Sequence, residues 1–227
     1  MNDLKPWYET NKNLFEVVKK TLEERLNETK LLKRKGLLVC QGYFPVICDG
    51  EFLGEAYEIE IHFPKDYPRF YTDVKICDSR LPKGPDPDWH IQTGNIACLQ
   101  LVEQIWIDVG DPSNFENYLN KTVNDYFIQQ TYRILKGKYL NTWDHGVNGR
   151  LEFYYRKFSM EKKEPFKVLD ALNILLSKEI KGNRDCPLCM GKKIKDCHLL
   201  SFVHLKSLIR KEYLLAGKEE IFRYLGL

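Results

Sequence analysis

The spacing of apolar residues in the first third of the chain predicts a helix followed by antiparallel strands. Within residues 10–33 they recur at helical spacing among lysines and glutamates, which predicts an amphipathic helix that Gly36 ends. These apolar positions are Leu14, Val17, Val18, Leu22 and Leu26. Residues 36–48 and 55–63 predict strands, and the second stretch alternates apolar and polar side chains. Its inward-facing set is Tyr57, Ile59, Ile61 and Phe63. The short turn between the two strands predicts a meander.

The rest of the chain alternates loops with helical patterns. A third strand is predicted at residues 72–77, and the prolines of residues 81–90 exclude regular structure there. Apolar residues at helical spacing predict a second helix over 114–136, whereas two glycines in residues 144–158 interrupt the pattern. The charged run 160–165 marks a candidate domain boundary, after which helical patterns return. Because strands follow one another and helices flank them, the predicted fold class is α+β.

Composition and charge narrow the function classes only slightly. Of the 227 residues, 43% are hydrophobic, which is enough for a substantial core. The formal net charge of +3 comes from 35 basic and 32 acidic residues, and this balance gives no argument for nucleic acid or a membrane as the partner. The chain lacks the roughly 18 consecutive apolar residues of a membrane span, and its polar start lacks the apolar core of a secretory signal. We therefore expect a soluble cytoplasmic protein.

Three of the seven cysteines cluster beside a histidine near the end of the chain. Cys186 and Cys189 form a Cys-x-x-Cys pair, and Cys197 and His198 follow it after a short loop. Three thiolates and one imidazole complete a closed tetrahedral zinc site, which leaves no position for a water and is therefore structural. An odd number of cysteines with such a cluster suits a reducing compartment better than disulfides. The stretch resembles the small zinc motif at the C-terminus of the bacterial secretion ATPase, in which a glycine-lysine-lysine run precedes Cys-His.

A single cysteine, Cys98, follows the proline-rich loop within an apolar stretch. Several markers surround it: a Phe-Pro-x-x-Tyr-Pro element at residues 63–68, the stretch Gly-Asn-Ile-Ala-Cys-Leu at 94–99, and Trp106 eight residues beyond the cysteine. In this order the chain resembles the ubiquitin-conjugating enzyme superfamily over residues 10–155. The resemblance implies an antiparallel meander flanked by helices. It also implies that Cys98 is a nucleophile that carries an acyl group as a thioester.

The His-Pro-Asn triplet of that superfamily is missing here, and His90 stands where its asparagine would support the oxyanion. We expect His90 to donate a hydrogen bond to the oxyanion or to act as a base near neutral pH; ordering the loop is the alternative role. The chain resembles a bacterial branch of the superfamily in two respects: it lacks this asparagine, and it contains a Trp-x-His-Gly motif. Members of that branch accompany anti-phage cyclic-oligonucleotide signalling operons. The motif makes His145 a candidate site residue, with a helix-end or turn histidine as the alternative.

These observations predict a ubiquitin-conjugating-like catalytic domain over residues 1–160 and a helical zinc-binding tail over 161–227. By resemblance, the enzyme receives the C-terminus of a nucleotide cyclase or a ubiquitin-like modifier from an activating enzyme. It then passes this group from Cys98 to a lysine amine of a target protein. Two alternatives stay open. One is a non-catalytic binding module of the same fold, in which Cys98 would be buried and His90 would point away from it. The other is a zinc-tailed nucleic-acid adaptor.

Overall fold

Antiparallel strands form a single sheet in the computed structural model, which describes residues 5–34, 36–140, 146–161, 163–189 and 191–227. Within these residues the strands are β1 (Asn27–Arg34), β2 (Leu37–Cys48), β3 (Glu51–Phe63), β4 (Asp73–Ile76), β5 (Ile91–Gln92) and β6 (Ile96–Ala97). Their order across the sheet is β1-β2-β3-β4-β6-β5. The first four strands form a meander, of which β2, β3 and β4 correspond to the predicted strands, and the last two form a short hairpin at its edge. The α+β fold class is confirmed.

The N-terminal helix is shorter than its sequence pattern predicts. Helix α1 (Trp7–Thr10) precedes α2 (Lys12–Arg25), which begins after Asn11. The predicted helix over residues 10–33 is wrong in its last third, because those residues form β1 and pair with β2. Gly36, with a φ of +77°, lies in the β1–β2 turn rather than at a helix end. Backbone pairing with a neighbouring strand outweighs the helical preference of this short polar segment.

One face of the meander carries the core of the sheet. The four residues of β3 that were predicted to face inward are all buried: Tyr57, Ile59, Ile61 and Phe63. Tyr57 stacks on Phe127 with ring centroids 4.7 Å apart, and its hydroxyl shares a 2.9 Å hydrogen bond with Thr131. Aromatic stacking and a satisfied buried hydroxyl both stabilise this contact between the sheet and the helix that covers it.

The opposite face of the meander holds a buried carboxylate. Glu60 is only 5% exposed and pairs with Arg34, His62 and Lys75 at 3.1, 2.9 and 3.3 Å. Burial by itself would raise the pKa of Glu60, but the hydrogen bonds from His62, Lys75 and Arg34 outweigh it and lower the pKa. Glu60 therefore faces away from the core, as its alternation predicts, but the side chains of Arg34, His62 and Lys75 shield it from solvent.

A helical segment over residues 115–136 follows the hairpin, close to the prediction. It comprises α4 (Phe115–Asn117), a π-helical turn at Tyr118–Val123 and α5 (Asn124–Lys136). The Asn124 side chain accepts a hydrogen bond from the N–H of Ile47 at 3.0 Å and donates one to its carbonyl at 2.7 Å. This contact fastens the helix to β2 where its pairing with β3 is irregular.

The chain divides into two compact units, Met1–Gln100 with Asp111–Asn141 and Leu101–Gly110 with Thr142–Leu227. The described helices of the second unit are α3 (Val102–Asp108), α6 (Gly146–Lys157), α7 (Pro165–Leu176), α8 (Leu199–Leu208) and α9 (Lys211–Tyr224). The predicted boundary between residues 160 and 161 falls between α6 and α7, and the division into functional domains stays a prediction. None of the described helices has the length and apolar character that crossing a membrane requires.

Helix α6 corrects the expectation that glycines interrupt residues 144–158. Its residues form a helix in which Gly149 is buried, together with the side chains of Leu151, Phe153, Tyr154 and Tyr155. A glycine inside a helix costs roughly 1 kcal/mol relative to alanine. Burial of four large side chains is worth several times that amount, so packing decides the conformation of this segment.

A buried ion pair connects three helices of the second unit. Glu103 of α3 is fully buried, and its Oε1 accepts hydrogen bonds from Arg150 at 2.8 Å and from the Tyr154 hydroxyl at 3.4 Å. Arg150 also pairs with Glu220 of α9. At Gly217 of α9, an added Cβ would lie 2.8 Å from Glu103 Oε1, so the helices approach closely only because a side chain is absent there.

Candidate active site and metal centre

Cys98 lies directly after β6, at the hairpin that forms the edge of the sheet. Ile91 of β5 pairs with Ala97 of β6, so His90 and Cys98 are the next residues across from each other. The backbone N–H of Cys98 donates a 2.7 Å hydrogen bond to the carbonyl oxygen of His90. Cys98 is partly exposed rather than buried. The structure thus brings the two predicted site residues together at the backbone.

The turn of this hairpin depends on a glycine. Gly94 has a φ of +80° and Asn95 a φ of +62°, two successive residues in the left-handed region. The Asn95 side chain accepts a 2.7 Å hydrogen bond from the N–H of Gly84, which connects the turn to the start of the proline-rich loop. A glycine adopts this conformation without strain and lets the backbone turn before Cys98.

His90 has a left-handed backbone conformation, with φ 52° and ψ 45°. It ends a 3-10 turn at Pro87–Trp89, within the loop for which no regular structure was predicted. The side chain of Asp86 accepts a hydrogen bond from the N–H of Trp89, and its backbone exchanges two hydrogen bonds with Ile91. A left-handed residue with a Cβ costs about 1–2 kcal/mol, so neighbouring contacts must hold His90 in this conformation.

Two side chains of α5 bind the loop by its carbonyl groups. The Tyr126 hydroxyl lies 3.3 Å from the carbonyl oxygens of both Trp89 and His90. The side-chain amide of Gln130 donates a 3.1 Å hydrogen bond to the Trp89 carbonyl. Tyr126 and Gln130 are four residues apart and therefore lie on one face of the helix.

Tyr139, three residues beyond the end of α5, contacts His90 directly. The two rings meet edge to face, with centroids 5.0 Å apart. The Tyr139 hydroxyl donates a 3.0 Å hydrogen bond to the carbonyl of Asp88, and Arg133 donates to the same carbonyl. The Arg133 guanidinium lies over the rings of Trp89 and Tyr139, at 4.2 and 4.8 Å from their centroids.

Both tyrosines stay protonated at neutral pH. Burial raises the pKa of Tyr126, and the charges that Tyr139 and Cys98 carry when ionised raise it further. Burial also raises the pKa of Tyr139, against the lowering effects of Gln130 and Arg133. Their hydroxyl groups therefore act as permanent hydrogen-bond donors to the loop carbonyls.

The sequence motifs also marked His145 and Trp106. His145 lies outside the described residues. Trp106 belongs to the second compact unit, where it is buried and its ring lies 5.9 Å from the Tyr213 ring and 4.8 Å from the Arg210 guanidinium. Its role there is packing among helices of that unit.

The predicted metal ligands Cys186, Cys189, Cys197 and His198 come together in the second unit. Their four ligand atoms all lie within 4.8 Å of one another. The Nδ1 atom of His198 lies 3.5 Å from the sulfur of Cys186 and 3.4 Å from that of Cys189. Ordinary Zn–S and Zn–N bond lengths place sulfur and nitrogen about 3.6 Å apart around a tetrahedral zinc ion. The cluster therefore fits a metal ion, and its donor set is compatible with zinc.

Backbone hydrogen bonds within the protein define the conformation of the metal-binding loop. The N–H of Cys186 donates to the Lys192 carbonyl at 2.9 Å, which closes the loop that carries the Cys-x-x-Cys pair. The N–H groups of Cys197 and His198 both donate to the carbonyl of Ile194, at 3.2 and 3.1 Å. Ile194 is itself fully buried. A buried apolar residue thus anchors the second pair of ligands.

The sulfur atoms of the cluster lie close together. Desolvation, together with the neighbouring sulfurs of Cys186 and Cys189, raises the pKa of the Cys197 thiol to about 12. A divalent cation acts in the opposite direction, because it stabilises thiolates at its coordination sphere. Cys197 is also the most exposed cysteine of the cluster, whereas Cys186 is buried.

Sequence reasoning missed the polar contacts that hold the loop beside Cys98. Tyr126 falls within the helical pattern over 114–136, and that pattern predicts no role for Gln130 or Tyr139. The sequence contains one signal, because Gln130 is a polar residue on the same helical face as apolar neighbours. In the structure its side chain is fully buried. A buried amide requires hydrogen-bond partners, which here are the loop carbonyl and the Tyr139 hydroxyl.

Comparison with known proteins provides no family for this chain. No protein-family model matches the sequence, no curated protein matches it, and no solved structure matches its fold. Function therefore has to be argued from the residues and their geometry.

Proposed function

We propose that this protein is a ubiquitin-conjugating-like acyltransferase that carries an acyl group as a thioester on Cys98. The observation that carries the proposal is the position of a partly exposed cysteine directly across the hairpin from His90. The alternative of a non-catalytic binding module predicts a buried Cys98, whereas this thiol is partly exposed. The antiparallel meander, with a helix before it and a long helical segment after the hairpin, agrees with the fold that the proposal requires.

The reaction has two acyl transfers. The Cys98 thiolate attacks the carbonyl carbon of a donor thioester; a new S–C bond forms, the old S–C bond breaks, and the donor sulfur leaves as a thiolate with its electrons. A lysine amine then attacks the Cys98 thioester, an N–C bond forms, and Cys98 leaves as the thiolate. The amine must lose one proton and the tetrahedral oxyanion must be stabilised, and His90 is our candidate for either task.

The biological setting is part of the same proposal. We infer a bacterial anti-phage conjugation system in which an activating enzyme supplies the C-terminus of a nucleotide cyclase or of a ubiquitin-like modifier. The acceptor is a lysine on a target protein. A nucleophilic thiol and a cluster of metal-binding thiolates both require reducing conditions, so we place the reaction in the cytoplasm. The metal centre, in this proposal, holds zinc and stabilises the tail.

The test uses a peptide thioester as acyl donor, so that no activating enzyme is needed. The full chain is incubated with a fluorescent peptide whose C-terminal carboxyl is a thioester of mercaptoethanesulfonate, and the adduct is located by peptide mapping. We expect an adduct on Cys98 that dithiothreitol cleaves and that the Cys98→Ala variant lacks. N-α-acetyl-lysine should then discharge it about tenfold faster or more in the folded protein than after unfolding in urea.

Cys77 provides the control for simple accessibility, because it is also partly exposed. The Cys77→Ala variant should load and discharge like the wild type. Equal labelling of both cysteines, with no faster discharge in the folded state, would contradict the proposal. That result would favour the non-catalytic binding module of the same fold.

A further inference from the structure

Three consecutive carbonyl groups of the proline-rich loop accept hydrogen bonds from the same helical region. Tyr126 and Gln130 of α5 bind the carbonyls of Trp89 and His90. Tyr139 binds the carbonyl of Asp88. Each bond has a backbone carbonyl as acceptor, so the contacts fix the path of the loop rather than one side chain. The ring of His90 in turn packs against the ring of Tyr139.

We infer that Tyr126, Gln130 and Tyr139 are positioning residues that hold His90 beside the thioester on Cys98. This inference rests on the proposed function and names the residues that make it work. His90 reaches its place only in the left-handed conformation, which an unsupported loop would leave for a negative φ. A change of φ at His90 would move both its ring and the carbonyl that accepts the Cys98 N–H.

The two steps of the reaction should depend differently on these residues. Loading requires an accessible Cys98 thiolate and an acyl donor, and it depends less on His90 because the attacking thiolate has no proton to lose. Discharge to lysine requires His90 in a defined place, because a displacement of about 1 Å can reduce a rate by up to two orders of magnitude. Loss of a positioning residue should therefore slow discharge while loading continues. A merely stabilising residue would leave the ratio of the two rates unchanged.

Tyr126→Phe is the direct test, and Tyr118→Phe is its matched control. Tyr118 is also a buried tyrosine of the same unit, and its hydroxyl donates a 2.8 Å hydrogen bond to the carbonyl of Thr72. Each variant loses one buried hydroxyl that binds a backbone carbonyl, so their thermal unfolding temperatures should fall to a similar extent. With the peptide thioester and N-α-acetyl-lysine, we expect Tyr126→Phe to slow discharge about tenfold at unchanged loading. Tyr118→Phe should discharge at the wild-type rate.

Tyr139 provides a second test. Its side chain is partly exposed, so we expect the protein to fold when this residue is substituted. Tyr139→Phe keeps the ring against His90 but removes the hydrogen bond to the Asp88 carbonyl. It should therefore slow discharge less than Tyr139→Leu, which removes both contacts and should slow discharge about tenfold. Equal discharge by Tyr126→Phe and Tyr118→Phe, or discharge at the wild-type rate by Tyr139→Leu, would overturn the inference while the proposed function stands. If the wild type does not load at Cys98, the proposed function itself is wrong.

Discussion

The Nε2 atom of His198 lies 2.9 Å from the carbonyl oxygen of Phe158, the residue that directly follows α6. As a donor to this carbonyl, Nε2 carries the proton, which leaves the Nδ1 lone pair free to face the sulfurs of Cys186 and Cys189. A carbonyl in this outer position fixes the orientation of a metal-binding histidine. The contact also joins the metal-binding loop to the end of α6.

Zinc content is the first prediction. We expect the purified protein to contain about one zinc ion per chain by mass spectrometry, because four ligands converge as in a closed structural site. Chelation should lower the thermal unfolding temperature and reduce the helical circular dichroism signal, since the metal joins the loop to the helices around it. Cys186→Ser should lose the metal, whereas Cys77→Ser should keep it. A full-length protein that stays metal-free and equally stable after zinc is added would contradict this prediction.

His90 substitutions separate backbone strain from chemistry. His90→Gly should leave the free energy of unfolding unchanged or raise it by up to about 1 kcal/mol, because glycine adopts the left-handed conformation without strain. The same variant should lose discharge of the Cys98 thioester. His90→Asn should retain discharge, since asparagine tolerates this conformation and offers an amide donor. Urea unfolding and the peptide thioester assay measure the two effects, and full discharge by His90→Gly would exclude a chemical role for the imidazole.

The ion pair between Glu103 and Arg150 predicts a large loss of stability when one partner is removed. Arg150→Met should lower the free energy of unfolding by about 3–5 kcal/mol, because it leaves the buried Glu103 carboxylate without its cation. Arg156→Met, on the same helix, removes an exposed ion pair with Glu152 and should cost about 0.5 kcal/mol or less. Chemical denaturation of both variants provides the comparison. Similar losses in the two variants would show that burial does not govern the strength of these pairs.

Glu60 predicts how stability depends on pH. Its pKa is lowered in the folded protein, so its contribution is fully present above the unfolded value of about 4.3 and is lost as the pH falls through the folded pKa. The difference in unfolding free energy between the wild type and Glu60→Gln should therefore be largest near pH 7 and shrink in acid. Glu51→Gln, which alters an exposed glutamate, should show no such trend. Urea unfolding between pH 3 and pH 7 checks this prediction, and a constant difference for Glu60→Gln would contradict it.

Local patterns determined a large part of this structure. The alternation from Tyr57 to Phe63 predicted both the strand and its buried face, because successive side chains of a strand point to opposite sides. The spacing of Cys186, Cys189, Cys197 and His198 predicted their convergence, because one short loop carries all four. Such features need no information from distant parts of the chain.

Only the tertiary structure decided the features that depend on distant partners. Residues 27–34 form a strand because β2 pairs with them. Helix α6 forms despite its glycines because burial of its large side chains stabilises it. The loop beside Cys98 is held by Tyr126, Gln130 and Tyr139, which lie 36 to 51 positions along the chain from their acceptors. No periodicity within the loop encodes these hydrogen bonds. They exist because folding brings α5 against the loop, where its side chains reach the loop carbonyls.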